Sequence, residues 1–236
     1  MKRQRMMRGA VAVALLALGA GSVQAQVVRK QFAVVTRLGT LTPERSASID
    51  AQALIGLDAE FAFGKYFGLG TALDIARGNT HREDFVQRLR FGNPAVAGGD
   101  TIYYQYLGQP VNTLNISLIG TARLPGKRLS PYAMGGVGSY VLIMDAQTNG
   151  KATNMSGMSY TAGAGLNIRF SEKYGMQLDA RALSLQKYQR GKLDPSAGRF
   201  PNAWFPEDIP APPAAKSTAL GTALTLGFRY VPGAGN

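Results

Sequence analysis

Between residues 32 and 230 the chain repeats one pattern: segments of about ten residues with large apolar side chains on one parity and small or polar ones on the other. In residues 158–170 the even positions are Met158, Tyr160, Ala162, Ala164, Leu166, Ile168 and Phe170. The odd positions are Ser159, Thr161, Gly163, Gly165, Asn167 and Arg169. From residue 174, Tyr174, Met176, Leu178, Ala180 and Ala182 oppose Gln177, Asp179 and Arg181. The final segment sets Leu220, Leu224, Leu226, Phe228 and Tyr230 against Ala219, Gly221, Ala223, Thr225, Gly227 and Arg229. Residues 32–38, 50–63, 67–77, 111–123 and 132–145 repeat the period with more noise, which predicts eight strands.

The connections alternate in length. Short ones fall at Gly64-Lys65, at 124–130 with Pro125 and Gly126, and at 171–173; long ones fall at about 39–49, 78–110, 146–157 and 187–217. A soluble sandwich also alternates apolar and polar positions, but it has no reason to gather aromatic residues at strand ends. Here Phe63, Tyr66, Phe67, Tyr132, Phe170, Tyr174, Phe228 and Tyr230 sit beside the short turns. That placement matches the interfacial girdle of a membrane barrel, so Phe63, Phe67, Tyr132, Phe170, Tyr174, Phe228 and Tyr230 are read as a girdle on the periplasmic side. The expected fold is all-β, a transmembrane antiparallel up-and-down β-barrel of eight strands with short periplasmic turns and long extracellular loops. Ten strands result if residues 100–106 pair as part of an extra hairpin.

The first 25 residues differ in kind. Lys2, Arg3, Arg5 and Arg8 precede an apolar run, and Val23-Gln24-Ala25 supplies the small residues of a cleavage site, so residues 1–25 read as a signal peptide and 26–236 as the barrel domain. The leader holds four of the 26 basic residues and none of the 14 acidic ones, leaving an excess of eight positive charges. An exported chain does not work on nucleic acid. The excess points to outer-membrane lipids, including the anionic outer-leaflet glycolipid, or only to loop solubility. With no cysteine, neither disulfides nor thiolate metal sites are available.

Parity also assigns an interior. Asp58, Glu60, Asp74 and Asp179 are expected to face Arg37, Arg123, Arg169, Arg181 and Arg229 within the lumen. Counting from the short turns sets Arg37, Asp58, Asp74, Asp179 and Arg181 at similar heights. Such charges must pair or be hydrated, so they form either a salt-bridge plug or a polar path for small solutes.

Gly64-Lys65-Tyr66-Phe67-Gly68-Leu69-Gly70 and Ser130-Pro131-Tyr132-Ala133-Met134-Gly135-Gly136-Val137-Gly138 resemble turn-then-strand units of small outer-membrane proteins of the OmpA membrane-domain, OmpX and OmpW type. The resemblance implies an outer-membrane location, monomers, insertion by the barrel-assembly machinery and no cofactor. It implies a structural or surface-interaction role through the loops; a narrow pore for small or apolar solutes is second and a lipid-modifying enzyme third. For catalysis the chain offers one histidine, His81, in a long loop, and a serine nucleophile needs such a base beside it. His81, Glu83 and Asp84 are too close in sequence to share one metal geometry. The loop 187–217 holds six of the 12 prolines and the sole tryptophan, Trp204.

Overall fold

The computed structural model describes residues 31–92, 100–144, 153–194 and 213–232. Eight strands close into a barrel: β1 (Gln31–Pro43), β2 (Gln52–Ala62), β3 (Phe67–Asn79), β6 (Pro110–Arg123), β7 (Leu129–Met144), β8 (Thr153–Arg169), β9 (Tyr174–Gln186) and β10 (Thr218–Tyr230). Two further strands, β4 (Val86–Gly92) and β5 (Asp100–Tyr106), pair only with each other. Residues 100–106 therefore do form a hairpin, but it stands apart from the barrel, whose strand number stays at eight. Every barrel strand pairs antiparallel with its neighbours in chain order, and β10 pairs with β1 to close the wall.

The register fixes the width. Paired residues followed once around the wall from Asn112, through Arg77, Ala53, Thr40, Leu224, Ala180, Ala164 and Ala133, return to the same strand at Ala122, ten residues further along. A shear of ten in eight strands tilts them by roughly 40° and leaves an interior only wide enough for side chains.

Adjacent residues show the two faces. Arg37 is 1% exposed inside and Leu38 is 64% exposed outside. Among the described residues 26 large apolar side chains are exposed, and water around them would forfeit roughly 1.5–3 kcal/mol for each one that burial satisfies. That total exceeds the stability of any ordinary domain, so the surface is built for lipid.

Three predicted boundaries move. β1 runs on to Pro43, which pairs with Gly221; β7 begins at Leu129, which pairs with Ile168; and β8 begins at Thr153, which pairs with Met144. The extensions of β1 and β8 lengthen the wall at the long-loop end, and that of β7 lengthens it at the short-turn end.

The interior has two floors. At the long-loop end, inward residues such as Leu41, Leu54, Val111, Tyr140, Leu142 and Met155 pack with Ala47, Ile49, Phe85, Tyr188 and Leu193 from the connections, making an apolar plug. At the short-turn end the interior is charged.

Candidate functional site

Glycines make the charged floor possible. Arg37 on β1, Gly56 on β2 and Asp74 on β3 are cross-strand partners in one row. A Cβ at Gly56 would stand 2.7 Å from Arg37 Cζ and 2.9 Å from Asp74 Oδ1, so only glycine lets the guanidinium cross a whole strand to its carboxylate. Tyr132 on β7, Gly165 on β8 and Asp179 on β9 repeat the arrangement, and the tyrosine hydroxyl crosses Gly165 to donate to Asp179.

One network results. Arg37 Nη2 donates to Asp74 Oδ1 at 2.6 Å and to Asp58 Oδ1 at 2.7 Å; Arg181 Nη2 donates to Asp58 Oδ2 at 2.6 Å and to Asp179 Oδ2 at 2.7 Å. Charges alternate in sequence Asp74, Arg37, Asp58, Arg181, Asp179. Gln177 supports Asp179 at 3.0 Å, and Ser159 donates to Asn115 at 2.6 Å. Longer contacts of 3.5 Å join Asn115 to Asp74 and Thr225 to Asp179. Each of the eight barrel strands thus contributes a side chain to a single network.

A second cluster lies nearer the short turns. Glu60 accepts from Arg123, from Thr121 and, at 3.0 Å, from Arg229. Gly68 gives it room, since a Cβ there would stand 2.6 Å from both Arg123 Nη2 and Glu60 Oε1. Between the clusters a cavity of about 20 Å³, lined by Asp58, Glu60, Arg123, Tyr132 and Arg181 among others, has room for about one water. No continuous aqueous column fits in it.

Parity placed eight of the nine predicted lumen charges in ion pairs: Arg37, Asp58, Asp74, Asp179 and Arg181 in the first network, Glu60, Arg123 and Arg229 in the second. Arg169 is the exception. It keeps lumen parity, but it ends β8 and is exposed at the rim without an ion pair among the described residues.

The girdle also needs one correction. Phe63, Phe67, Phe170, Tyr174, Phe228 and Tyr230 are exposed on the outer wall, and Tyr174 stacks on Tyr230 with ring centroids 5.5 Å apart. Tyr132 is 7% exposed and points inward, because even positions face the lumen on β7 and the membrane on β8, β9 and β10. Phe32 and Phe61, which were not predicted, join the outer ring.

No periodic pattern signals the cap over the long-loop mouth. Arg45 clamps Asp84 with both terminal nitrogens, Tyr188 donates to the carbonyl of Ala47 at 2.6 Å, and Gln109 donates to the carbonyl of Leu193 at 2.8 Å. Lys216 reaches Glu44 at 2.8 Å. Burial pushes the Asp84 carboxyl up, but the hydrogen bonds and the positive charge of Arg45, with smaller contributions from its other neighbours, together outweigh it and hold Asp84 below its ordinary 3.8. The hydrogen bond from Lys216 likewise lowers Glu44, whereas burial raises the Tyr188 hydroxyl and keeps it a donor. His81 sits in this cap with Nδ1 2.7 Å from Asp50 and Nε2 3.6 Å from Glu83. Trp204 and most of its proline-rich loop lie outside the described residues.

A closed eight-stranded wall, apolar outside and ion-paired within, is the construction of a small outer-membrane barrel. The chain belongs to the outer membrane protein beta-barrel domain family, whose sequence profile matches residues 11–200. No curated protein matches the chain. Among solved structures it is similar to Neisserial surface protein A, with 9% identity, 85% of this chain and 96% of that one covered, and a TM-score of 0.48. It is similar also to the N-terminal beta-barrel domain of Pseudomonas aeruginosa OprF, with 13% identity, 86% and 100% covered, and a TM-score of 0.42. A third is the attachment invasion locus protein of Yersinia pestis, with 11% identity, 85% and 97% covered, and a TM-score of 0.42. The short-turn end is accordingly the periplasmic end, and the long loops are extracellular.

Proposed function

We propose that the protein is a closed outer-membrane barrel with a structural and surface-interaction role, and that its contacts are made by the capped extracellular loops rather than through the lumen. The observation that carries this reading is the double filling of the interior, by the Asp74-to-Asp179 network below and the apolar plug above. His81 turns both ring nitrogens toward carboxylates, an arrangement that fastens the loops of the cap together.

In the same reading, residues 26–236 form one domain after removal of the leader at Ala25, and the barrel is a monomer inserted by the assembly machinery. Its lipid neighbours include the anionic glycolipid outside. N-terminal sequencing of the membrane-extracted protein checks the leader and should begin at Gln26.

Conductance across a planar bilayer tests the closed lumen. The wild-type barrel, shown to be folded by heat-modifiable gel mobility, should be silent, and a variant with Asp179→Ala and Arg181→Ala should stay silent because the apolar plug above is untouched. Steady wild-type conductance supports the narrow-pore reading instead.

A further inference from the structure

In the rows Arg37-Gly56-Asp74 and Tyr132-Gly165-Asp179 a glycine lies between two inward-facing residues on the flanking strands, and those two residues meet over it. A third row has the same form. Gly175 on β9 pairs with Arg169 on β8 and with Arg229 on β10. Both flanking residues here are cations, so they cannot meet without an anion between them.

The third row also differs at its centre. Arg37 lies against a Cβ built at Gly56, and Tyr132 against one built at Gly165. At Gly175 the three nearest atoms would all be backbone, from Ile168 and Arg169. The local charge is unbalanced too. Arg123 and Arg229 share one carboxylate, Glu60, while Arg169 stands in register with Gly175 and so in the same row as Arg229. Three guanidiniums against one carboxylate leave two positive charges at the periplasmic mouth. Lys173, exposed in the turn after Arg169, stands at the same end, and Glu172 is the acid beside it.

We propose that the notch over Gly175, between Arg169 and Arg229, is a binding site for a phosphate-type oxyanion. Planar guanidiniums on two sides suit a tetrahedral anion with several acceptor oxygens. The mouth lies beside the aromatic ring of Phe170, Tyr174, Phe228 and Tyr230, at headgroup depth, so the oxyanion is supplied either by an anionic phospholipid of the inner leaflet or by free phosphate. The site is independent of whether the lumen conducts.

The refolded protein, with its arginine Nε groups observed by NMR in phosphatidylcholine nanodiscs, tests the proposal. Inorganic phosphate is titrated at constant ionic strength, and in a second arm phosphatidylglycerol replaces part of the phosphatidylcholine. The expected result is a saturable shift of Arg169 and Arg229 in at least one arm. Response to both probes indicates a general oxyanion site, and response to phosphatidylglycerol alone indicates the lipid as its source. Arg169→Gln should weaken the response by about fivefold or more, the weight of one cation beside an anionic surface. Gly175→Ala keeps every charge but sets its Cβ 2.7 Å from the carbonyl oxygen of Ile168, so its folding is verified first by heat-modifiable gel mobility, and it should weaken the response as well. A control with Lys187→Gln and Lys192→Gln at the opposite end should respond as the wild type does. The proposal is overturned by no shift in either arm, by wild-type response in both Arg169→Gln and Gly175→Ala, or by equal loss in the control.

Discussion

Arg181 donates to Asp58 at 2.6 Å across the lumen, joining residues 123 positions apart in the chain. Asp58 also accepts from Arg37, so one carboxylate holds two buried guanidiniums. Nε and Nη1 of both arginines are already buried without a protein acceptor. Asp58→Ala removes the shared anion; Arg37 keeps Asp74 and Arg181 keeps Asp179, but each buried guanidinium loses one of its two carboxylates, and the change should cost about 1–3 kcal/mol. Denaturant unfolding in lipid vesicles measures this. Replacing all five members, Asp74, Arg37, Asp58, Arg181 and Asp179, by apolar residues of similar volume should cost less than the single change, because no unpaired charge is left.

Glycine at the crossing points is a steric requirement. Gly56→Leu and Gly165→Leu place carbon where Arg37 and Tyr132 lie, and each should lower stability by about 1–3 kcal/mol, or more where the ion pair also breaks. Gly120→Leu points outward, where the nearest atom to a Cβ is 3.9 Å away, and should be close to neutral. Equal losses at Gly56 and Gly120, measured by the same unfolding, would contradict the crossing geometry.

The outer wall has a depth profile. Leu118, exposed in the middle of the wall, and Leu129, exposed at the periplasmic turn, should respond differently to arginine. Leu118→Arg should cost roughly 2–4 kcal/mol and Leu129→Arg about 0–1 kcal/mol. A reversed order places the membrane band at another height.

Acid should loosen the cap. Asp84 is held below its ordinary 3.8 by Arg45, so its contribution is complete above that value and is lost as pH falls through the lowered folded value. Glu44, lowered by Lys216, acts in the same direction. Protection factors at residues 80–85, taken against the intrinsic exchange rate at each pH, should therefore fall on acidification below about pH 4, and Asp84→Asn should show low protection already at neutral pH. Protection that is unchanged in acid would place the stability of the cap in the packing of Phe85, Tyr188 and Leu193 alone.

The wall and the lumen charges are legible in the sequence because a strand between lipid and a narrow interior must alternate, and parity then assigns Arg37 or Asp179 without further information. Tyr132 escaped that reading because proximity to a turn says nothing of which parity faces in, and β7 has the opposite parity to its successors. Arg169 shows where parity stops: at the last residue of a strand the lumen has opened into solvent. The cap was illegible for another reason. Ala47, Phe85, Tyr188 and Leu193 sit in connections with no period, and their burial follows from contacts among three loops distant in sequence.

The chain has no cysteine, so a single thiol reports the lumen against a clean background. Ser117 lies on β6, facing the interior and buried. Labelling of Ser117→Cys by a small membrane-impermeant thiol reagent, applied from each side of the reconstituted barrel, tests the closed interior most directly. A plugged lumen predicts no reaction from either side and reaction once Asp58→Ala is added. Rapid labelling of Ser117→Cys in an otherwise unchanged barrel would contradict a closed lumen.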